Sequence, residues 1–250
     1  MDPAFFSQLS NVARVAIEAE IALGLVANNK TDEGFDPVTA ADRAAERELR
    51  SLIELHFPSH GIWGEEYGMV RGDAAVRWSL DPVDGTRALI CGLPNWAILV
   101  GLIDDGRHVA GMIDLPFLDE TLIAHDGVTR RNGELVRTSG CLFVAQARLA
   151  TTDPTLFDID EAAAFERVRL ASRLTRYGLD ALAYARVATG DIDLVIESGL
   201  KPHDYDALVA VVRGAGGHIG DWRGGEAFET GHVVAAASRA LYDEAVALLA

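Results

Sequence analysis

The stretch Leu80-Asp81-Pro82-Val83-Asp84-Gly85-Thr86 constrains this chain more than any other. Ahead of it, residues 76–80 read as a short apolar strand; behind it, Thr86-Arg87-Ala88-Leu89-Ile90 can begin a helical turn. Two carboxylates therefore stand where a strand ends and a helix begins. Pro82 fixes the backbone between them, and Gly85 lets the chain approach a ligand with no side chain in the way. The N–H groups of a helix's first turn attract anions, phosphate among them. Carboxylates beside an anion site are compatible only when cations lie between the two, so the stretch points to divalent metal and phosphate together. Taken alone it is equally an ordinary turn with Asp84 as a helix N-cap.

At 250 residues the chain is long enough for one large domain or two closely packed lobes, and its 49% hydrophobic content supplies a substantial core. A net charge of −16 argues against a nucleic-acid or anionic-membrane partner, because phosphate backbones reward Lys and Arg. A phosphate-bearing substrate then requires bound cations to reverse the local sign. Cys91 and Cys141 form neither a close pair nor a CxxC, which suggests a reducing compartment and no zinc site. No leader-like segment and no bilayer-spanning apolar stretch is legible, so the expectation is a soluble, cytoplasmic protein.

Residues 5–26 read as an amphipathic helix with Phe5, Leu9, Val12, Ala16 and Leu23 at helical spacing. The polar, Gly- and Pro-punctuated run from Asn28 to Pro37 reads as a loop. Thr39 opens a second helix over residues 40–56, and Asp42 stands close to the capping-box position, a structural reason for that residue to exist. In Gly64-Glu65-Glu66-Tyr67-Gly68, a glycine-framed pair of glutamates can turn one carboxylate inward and one outward; the residues do not say which. Residues 95–103, 108–115 and 120–124 read as an antiparallel meander, with turns at Asp105-Gly106, Asp126-Gly127 and Asn132-Gly133.

From about Leu142 the rhythm changes. Apolar runs at 147–151, 168–172, 192–196, 218–221 and 232–236 alternate with helical segments at 161–165, 180–189, 204–213 and 238–249. Such alternation indicates an α/β lobe with its sheet buried between helices. The expected organisation is two lobes sharing one interface. Residues 1–140 form an α+β lobe with most of the candidate ligands, and residues 141–250 an α/β lobe that supplies Asp204 and substrate contacts.

Asp204 follows Lys201-Pro202-His203 and opens a helix, so Asp81, Asp84 and Asp204 each put a carboxylate at a helix entry. Each alone is an ordinary cap. Oxygen ligands converging from separate parts of the chain are what magnesium requires. Here the sequence resembles the magnesium-dependent, lithium-sensitive phosphomonoesterase family typified by inositol monophosphatase. The matching pieces are Asp36-Pro37-Val38-Thr39-Ala40-Ala41-Asp42, Gly64-Glu65-Glu66, Asp81-Pro82-Val83-Asp84-Gly85-Thr86, and His203-Asp204-Tyr205-Asp206-Ala207 followed by Gly216-Gly217. They stand in family order across nearly the whole chain, which is far more specific than any one motif.

The resemblance implies a layered αβαβα sandwich, two or three Mg2+ ions and a homodimer. It also implies roles. Glu65 and Asp81, with the Val83 carbonyl, would hold one ion; Asp81 would bridge to a second, bound by Asp84 and Asp204. Gly85 and Thr86 would donate backbone N–H groups to phosphate. Asp42 and the Thr86 hydroxyl, with Glu65 near them, would orient and help deprotonate the water that attacks phosphorus in line with the ester oxygen. Two cations can stabilise both the attacking and leaving oxygens, and no cysteine or serine nucleophile is needed.

Arg176-Tyr177-Gly178-Leu179-Asp180, Glu197-Ser198-Gly199-Leu200-Lys201-Pro202 and Thr151-Thr152-Asp153-Pro154 resemble the histidinol-phosphatase branch, an enzyme of histidine biosynthesis. In that branch Glu197 and Asp180 would face the leaving group, whose ammonium and imidazole carboxylates complement. The chain departs from the branch at Leu179, His203 and Asp206, where Gly, Tyr and a small residue are usual. Asp206 would then either repel Asp204 or face solvent. The rivals are hydrolysis of inositol phosphate or another small sugar phosphate, and a non-catalytic module that binds metal and anion. The seven histidines show no zinc-like spacing, and no Gly-x-Ser-x-Gly elbow is present.

Overall fold

In the computed structural model, residues 2–29 and 37–250 are described; Asp36 and most of the expected loop after Asn29 lie outside that set. Helix α1 (Pro3–Leu23) is capped by Asp2, whose side chain accepts from the Ala4 N–H, and buries Phe5, Phe6, Leu9, Ala13 and Ile17. Its inner stripe thus lies one residue further round the wheel than Val12 and Ala16, and Leu23, in the final position, is exposed. Asn28–Asn29 (β1) pairs antiparallel with Pro37–Val38 (β2). Helix α2 (Ala40–His56) opens on the expected capping box of Thr39 and Asp42.

The first sheet comprises β3 (Gly61–Gly64), β4 (Gly68–Val70), β5 (Val76–Asp84), β6 (Ala97–Asp104), β7 (Arg107–Leu115), β8 (Glu120–His125), β9 (Val128–Arg131) and β10 (Glu134–Leu135). Its order is β10-β9-β8-β7-β6-β5-β3-β4, a meander except for the parallel pairing of β3 with β5. The turns at Asp105-Gly106, Asp126-Gly127 and Asn132-Gly133 all have positive φ at both residues, the type I′ geometry that suits the twist of adjoining strands. Between β5 and β6 runs a short helix, α3 (Thr86–Ile90).

The second sheet has order β12-β11-β13-β15-β14, built from β11 (Arg148–Thr151), β12 (Leu174–Tyr177), β13 (Leu194–Glu197), β14 (His218–Gly220) and β15 (Val233–Ala236). The helices here are α4 (Ile159–Ala171), α5 (Ala181–Thr189), α6 (Pro202–Gly214) and α7 (Arg239–Leu249). Residues 168–172, expected as a strand, instead finish α4, and the strand is β12. Asp158 and Glu161 form a capping box that starts this helix, and Val168 continues its buried face after Ala164 and Phe165. A short apolar run fits helix and strand equally, so the cap decided.

Three apolar cores make five layers. Trp78, Leu80, Ile98, Val100 and Met112 of the first sheet pack on α1 and α2. The other face, with Leu99, Ile113 and Leu122, shares one core with α5, α6 and the Ala150, Val195 and Ala235 side of the second sheet. Leu149, Leu194, Ile196 and Val234 turn outward onto α4 and α7. Alternate strand residues therefore feed alternate layers, which gives the αβαβα sandwich. In the middle layer α6 lies unusually close to the first sheet: a Cβ added at Gly111 would sit 2.4 Å from the Ala207 carbonyl oxygen. No helix among the described residues is long and apolar enough to cross a membrane.

Candidate active site

Strand β5 does not stop before the Asp81–Asp84 stretch but runs through it. Asp81 and Asp84 are an odd number of residues apart, so in a regular strand their side chains would leave opposite faces. The pairing with β6 resolves this. Asp81 lies opposite Leu99 and Asp84 opposite Ala97, with the register shifting between them, so β5 holds one residue more than its partner. Such a bulge re-aims a side chain, and Pro82, which has no N–H to give a ladder, is accommodated within it. Both carboxylates reach one cleft of about 250 Å³.

Glu65 follows β3, beside β5, and its N–H donates to the Leu80 carbonyl at 3.1 Å. It is the glutamate that lines the cleft. The turn is held by Glu46, a fully buried carboxylate of α2 that accepts from the N–H groups of Glu66 and Tyr67 at 2.7 and 3.2 Å. Asp204 arrives from the second half of the chain. Helix α6 starts two residues earlier than its sequence suggests, with Pro202 first, so Asp204 is not the cap. From the third position it reaches back to the Lys201 N–H at 2.7 Å.

Asp81, Asp84 and Asp204 offer oxygens that all lie within 4.8 Å of one another. Burial is the main force raising the pKa of Asp81, followed by the charges of Glu65, Asp84 and Asp204. Asp84 is raised by burial and then by Asp180, and Asp204 by burial. Like charges crowded in a poorly solvated cleft call for a counter-charge. The donor set is all oxygen, which suits a hard cation such as Mg2+. The residues fit the ion.

The remaining candidates divide into those on the wall and those behind it. Gly85, at φ 84, is the N-cap just before α3, and Thr86 Oγ lies 3.1 Å from both Asp42 Oδ1 and the Val83 carbonyl. Asp42 is fully buried, and its pKa is raised by desolvation. Its Oδ2 serves the capping box and its Oδ1 serves Thr86, so the structural and chemical readings of Asp42 coexist. Asp180 lines the cleft beside Gly85 with a strained backbone at φ 48 and ψ −143. Asn95, which nothing in the sequence singled out, donates to Asp180 Oδ2 at 3.1 Å.

Glu197 is not on the wall. Its carboxylate accepts from Thr151 Oγ and from the N–H and Oγ of Thr152, and Thr152 is the residue that lines the cleft. The structure thus sets Glu197 one layer deeper than a substrate contact, because Thr152 intervenes. Asp206 also departs from expectation. It neither faces solvent nor points at Asp204 but is buried against Arg77 and His108.

Comparison with known proteins agrees with this geometry. The family model for inositol monophosphatases matches residues 4–250. The chloroplastic bifunctional phosphatase IMPL2 of Arabidopsis thaliana is 45% identical over 195 residues, which are 77% of this chain and 56% of the plant protein. The chain thus spans little more than half the length of that relative. A histidinol-phosphatase of Chlorobaculum parvum is 30% identical over 207 residues, 82% of this chain and 80% of the relative. The solved structure of an inositol monophosphatase from Zymomonas mobilis superposes with a TM-score of 0.88 at 38% identity, covering 99% of this chain and 97% of that one. With the fold, the order of the motifs and the acidic cleft in agreement, the chain belongs to the inositol monophosphatase family, a family of metal-dependent phosphatases.

Proposed function

We propose that the protein is a magnesium-dependent phosphomonoester hydrolase whose preferred substrate is histidinol phosphate. The observation behind the reaction class is the meeting of Asp81, Asp84 and Asp204 in one cleft that Glu65 also lines. These four, with the Val83 carbonyl, would hold the ions. Bound cations would offset the carboxylate charge, draw the phosphoryl oxygens into the cleft and make water more acidic.

The protein's own groups do the rest. The N–H groups of Gly85 and Thr86 precede the first bonds inside α3, which Ala88 and Leu89 donate to the Gly85 carbonyl, and they supply donors to phosphate. Thr86 Oγ, steadied by Asp42, orients the attacking water, whose proton passes to the Thr86–Asp42 pair. A P–O bond to that water forms as the ester P–O bond breaks, and the leaving oxygen takes up a proton from solvent. Phosphate monoesters resist hydrolysis so strongly that positioning and charge stabilisation dominate.

For the substrate, support comes from Asp180 on the cleft wall, an acid beyond those needed for metal, and from the resemblance to the histidinol-phosphatase. Histidinol carries an ammonium and an imidazole that carboxylates complement. An inositol or sugar phosphate is the second reading, favoured by the likeness to the Zymomonas mobilis inositol monophosphatase. A panel of phosphomonoesters assayed with Mg2+ separates them by relative kcat/KM. Histidinol phosphate is expected first, and a sugar or inositol phosphate ahead of it would overturn the assignment. Asp84→Asn should lower turnover by roughly 1000-fold, the scale of losing a transition-state stabiliser, yet still accept the Ala181 N–H and fold. Wild-type turnover in that variant would remove Asp84 from the site.

A further inference from the structure

Helix α6 is fastened to the first sheet on both sides of Asp204. On one side, Ser79 Oγ donates to the Pro202 carbonyl at 3.2 Å. On the other, Asp206 is 1% exposed, with Oδ2 3.3 Å from Arg77 Nη2 and Oδ1 2.8 Å from His108 Nε2. Asp204 lies between the two fastenings. The partners come from β5 and β7, and the helix sits so close to the sheet that a Cβ at Gly101 would lie 3.0 Å from Asp206 and Ala207 atoms. No intervening layer can absorb a shift.

Arg77, Ser79 and Asp81 occupy alternate positions of β5 and share one face; Trp78 and Leu80 take the other, in the core under α1 and α2. The strand face that presents Asp81 is therefore the face that grips the helix presenting Asp204. Arg77 also lies over the Trp63 ring, 5.7 Å from its centroid, on the strand that leads into Glu65. One guanidinium thus touches the supports of all three ligand-bearing segments. None of Arg77, His108 or Asp206 lines the cleft.

We propose that Asp206, held by Arg77 and His108, is a positioning residue that fixes Asp204 against Asp81 and thereby sets the cation affinity of the site. The inference rests on the metal reading above. A buried ion pair need not stabilise a fold, since apolar replacements often do as well, which leaves room for a role in geometry. Outer groups that orient metal ligands typically govern affinity by about 10- to 100-fold.

The test is calorimetric titration of the full chain with Mg2+ alone, beside a melting curve for each variant. Asp206→Ala and Asp206→Asn are expected to weaken Mg2+ binding by about 10-fold or more. The control is Asp193→Asn, which weakens the pairing of a buried carboxylate just before β13 with the partly exposed Arg148, outside the cleft. It should lower the melting temperature and leave Mg2+ affinity unchanged. Wild-type affinity in folded Asp206 variants, or an equal loss in the control, overturns the proposal. Should Asp206→Ala not fold, Asp206→Asn and Ser79→Ala decide, and unchanged affinity in both is the overturning result. A wild-type protein that binds no Mg2+ removes the metal reading itself, and this inference with it.

Discussion

Glu197 shows how much a single buried acid can contribute to pH dependence. Desolvation, opposed by the hydrogen bonds from Thr152 and Thr151, pushes its pKa from 4.5 up to about 7. Between those values the native protein holds a proton that the unfolded chain has released. The associated stability is therefore fully present below about pH 4.5 and is lost as pH rises through 7, on the order of 3 kcal/mol in all. Glu197→Gln should flatten the fall in stability between pH 5 and pH 7.5, measured by urea unfolding at saturating Mg2+. An unchanged slope would mean that Glu197 is ionised throughout. At this scale Asp81, Asp84 and Asp204 were legible in the sequence, because each sits in a short motif with a turn or helix entry beside it. Glu46 and Asn95 were not. Their partners lie 20 and 85 residues away, and no local pattern marks them.

Among the elements, α6 matters most, since it brings Asp204 across to β5. Gly111 is where the sheet admits it: a methyl group there would meet the Ala207 carbonyl at 2.4 Å. Gly111→Ala should destabilise the fold by about 1–3 kcal/mol, as overpacking does, and a lowered urea midpoint is the measurement. A midpoint equal to wild type would show that the helix can lift without cost. The meander and its turns followed directly from the sequence, since Asp-Gly and Asn-Gly turns and alternating apolar residues are local signals. The passage of β5 through Pro82 was not legible. A proline within a strand argues for its end, and only pairing with β6 creates the bulge that tolerates it.

For the whole molecule, the middle core contains residues of both sheets, so the parts on either side of residue 140 share apolar surface. We propose that residues 1–140 and 141–250 act as two lobes joined through this layer. Mg2+ should raise the melting temperature, and a chelator should lower it. Saturation at about 100 times Kd contributes about 2.7 kcal/mol per site, or roughly 5–10 °C for a chain of this size. Differential scanning calorimetry over millimolar Mg2+ measures it, and a curve that does not move would count against the assembled cluster.

The sequence by itself determined where the Asp-Gly and Asn-Gly hairpins turn, where α2 opens on its capping box, and the family to which these motifs belong. Those features depend on neighbours within a few residues. The tertiary structure alone decided which glutamate of the Glu65-Glu66 pair faces the cleft, that Glu197 stands behind Thr152, and that Asp206 is locked to Arg77 and His108. Each of those outcomes depends on a partner distant in the chain. The direction a side chain takes there is set by packing between layers, which local propensity does not encode.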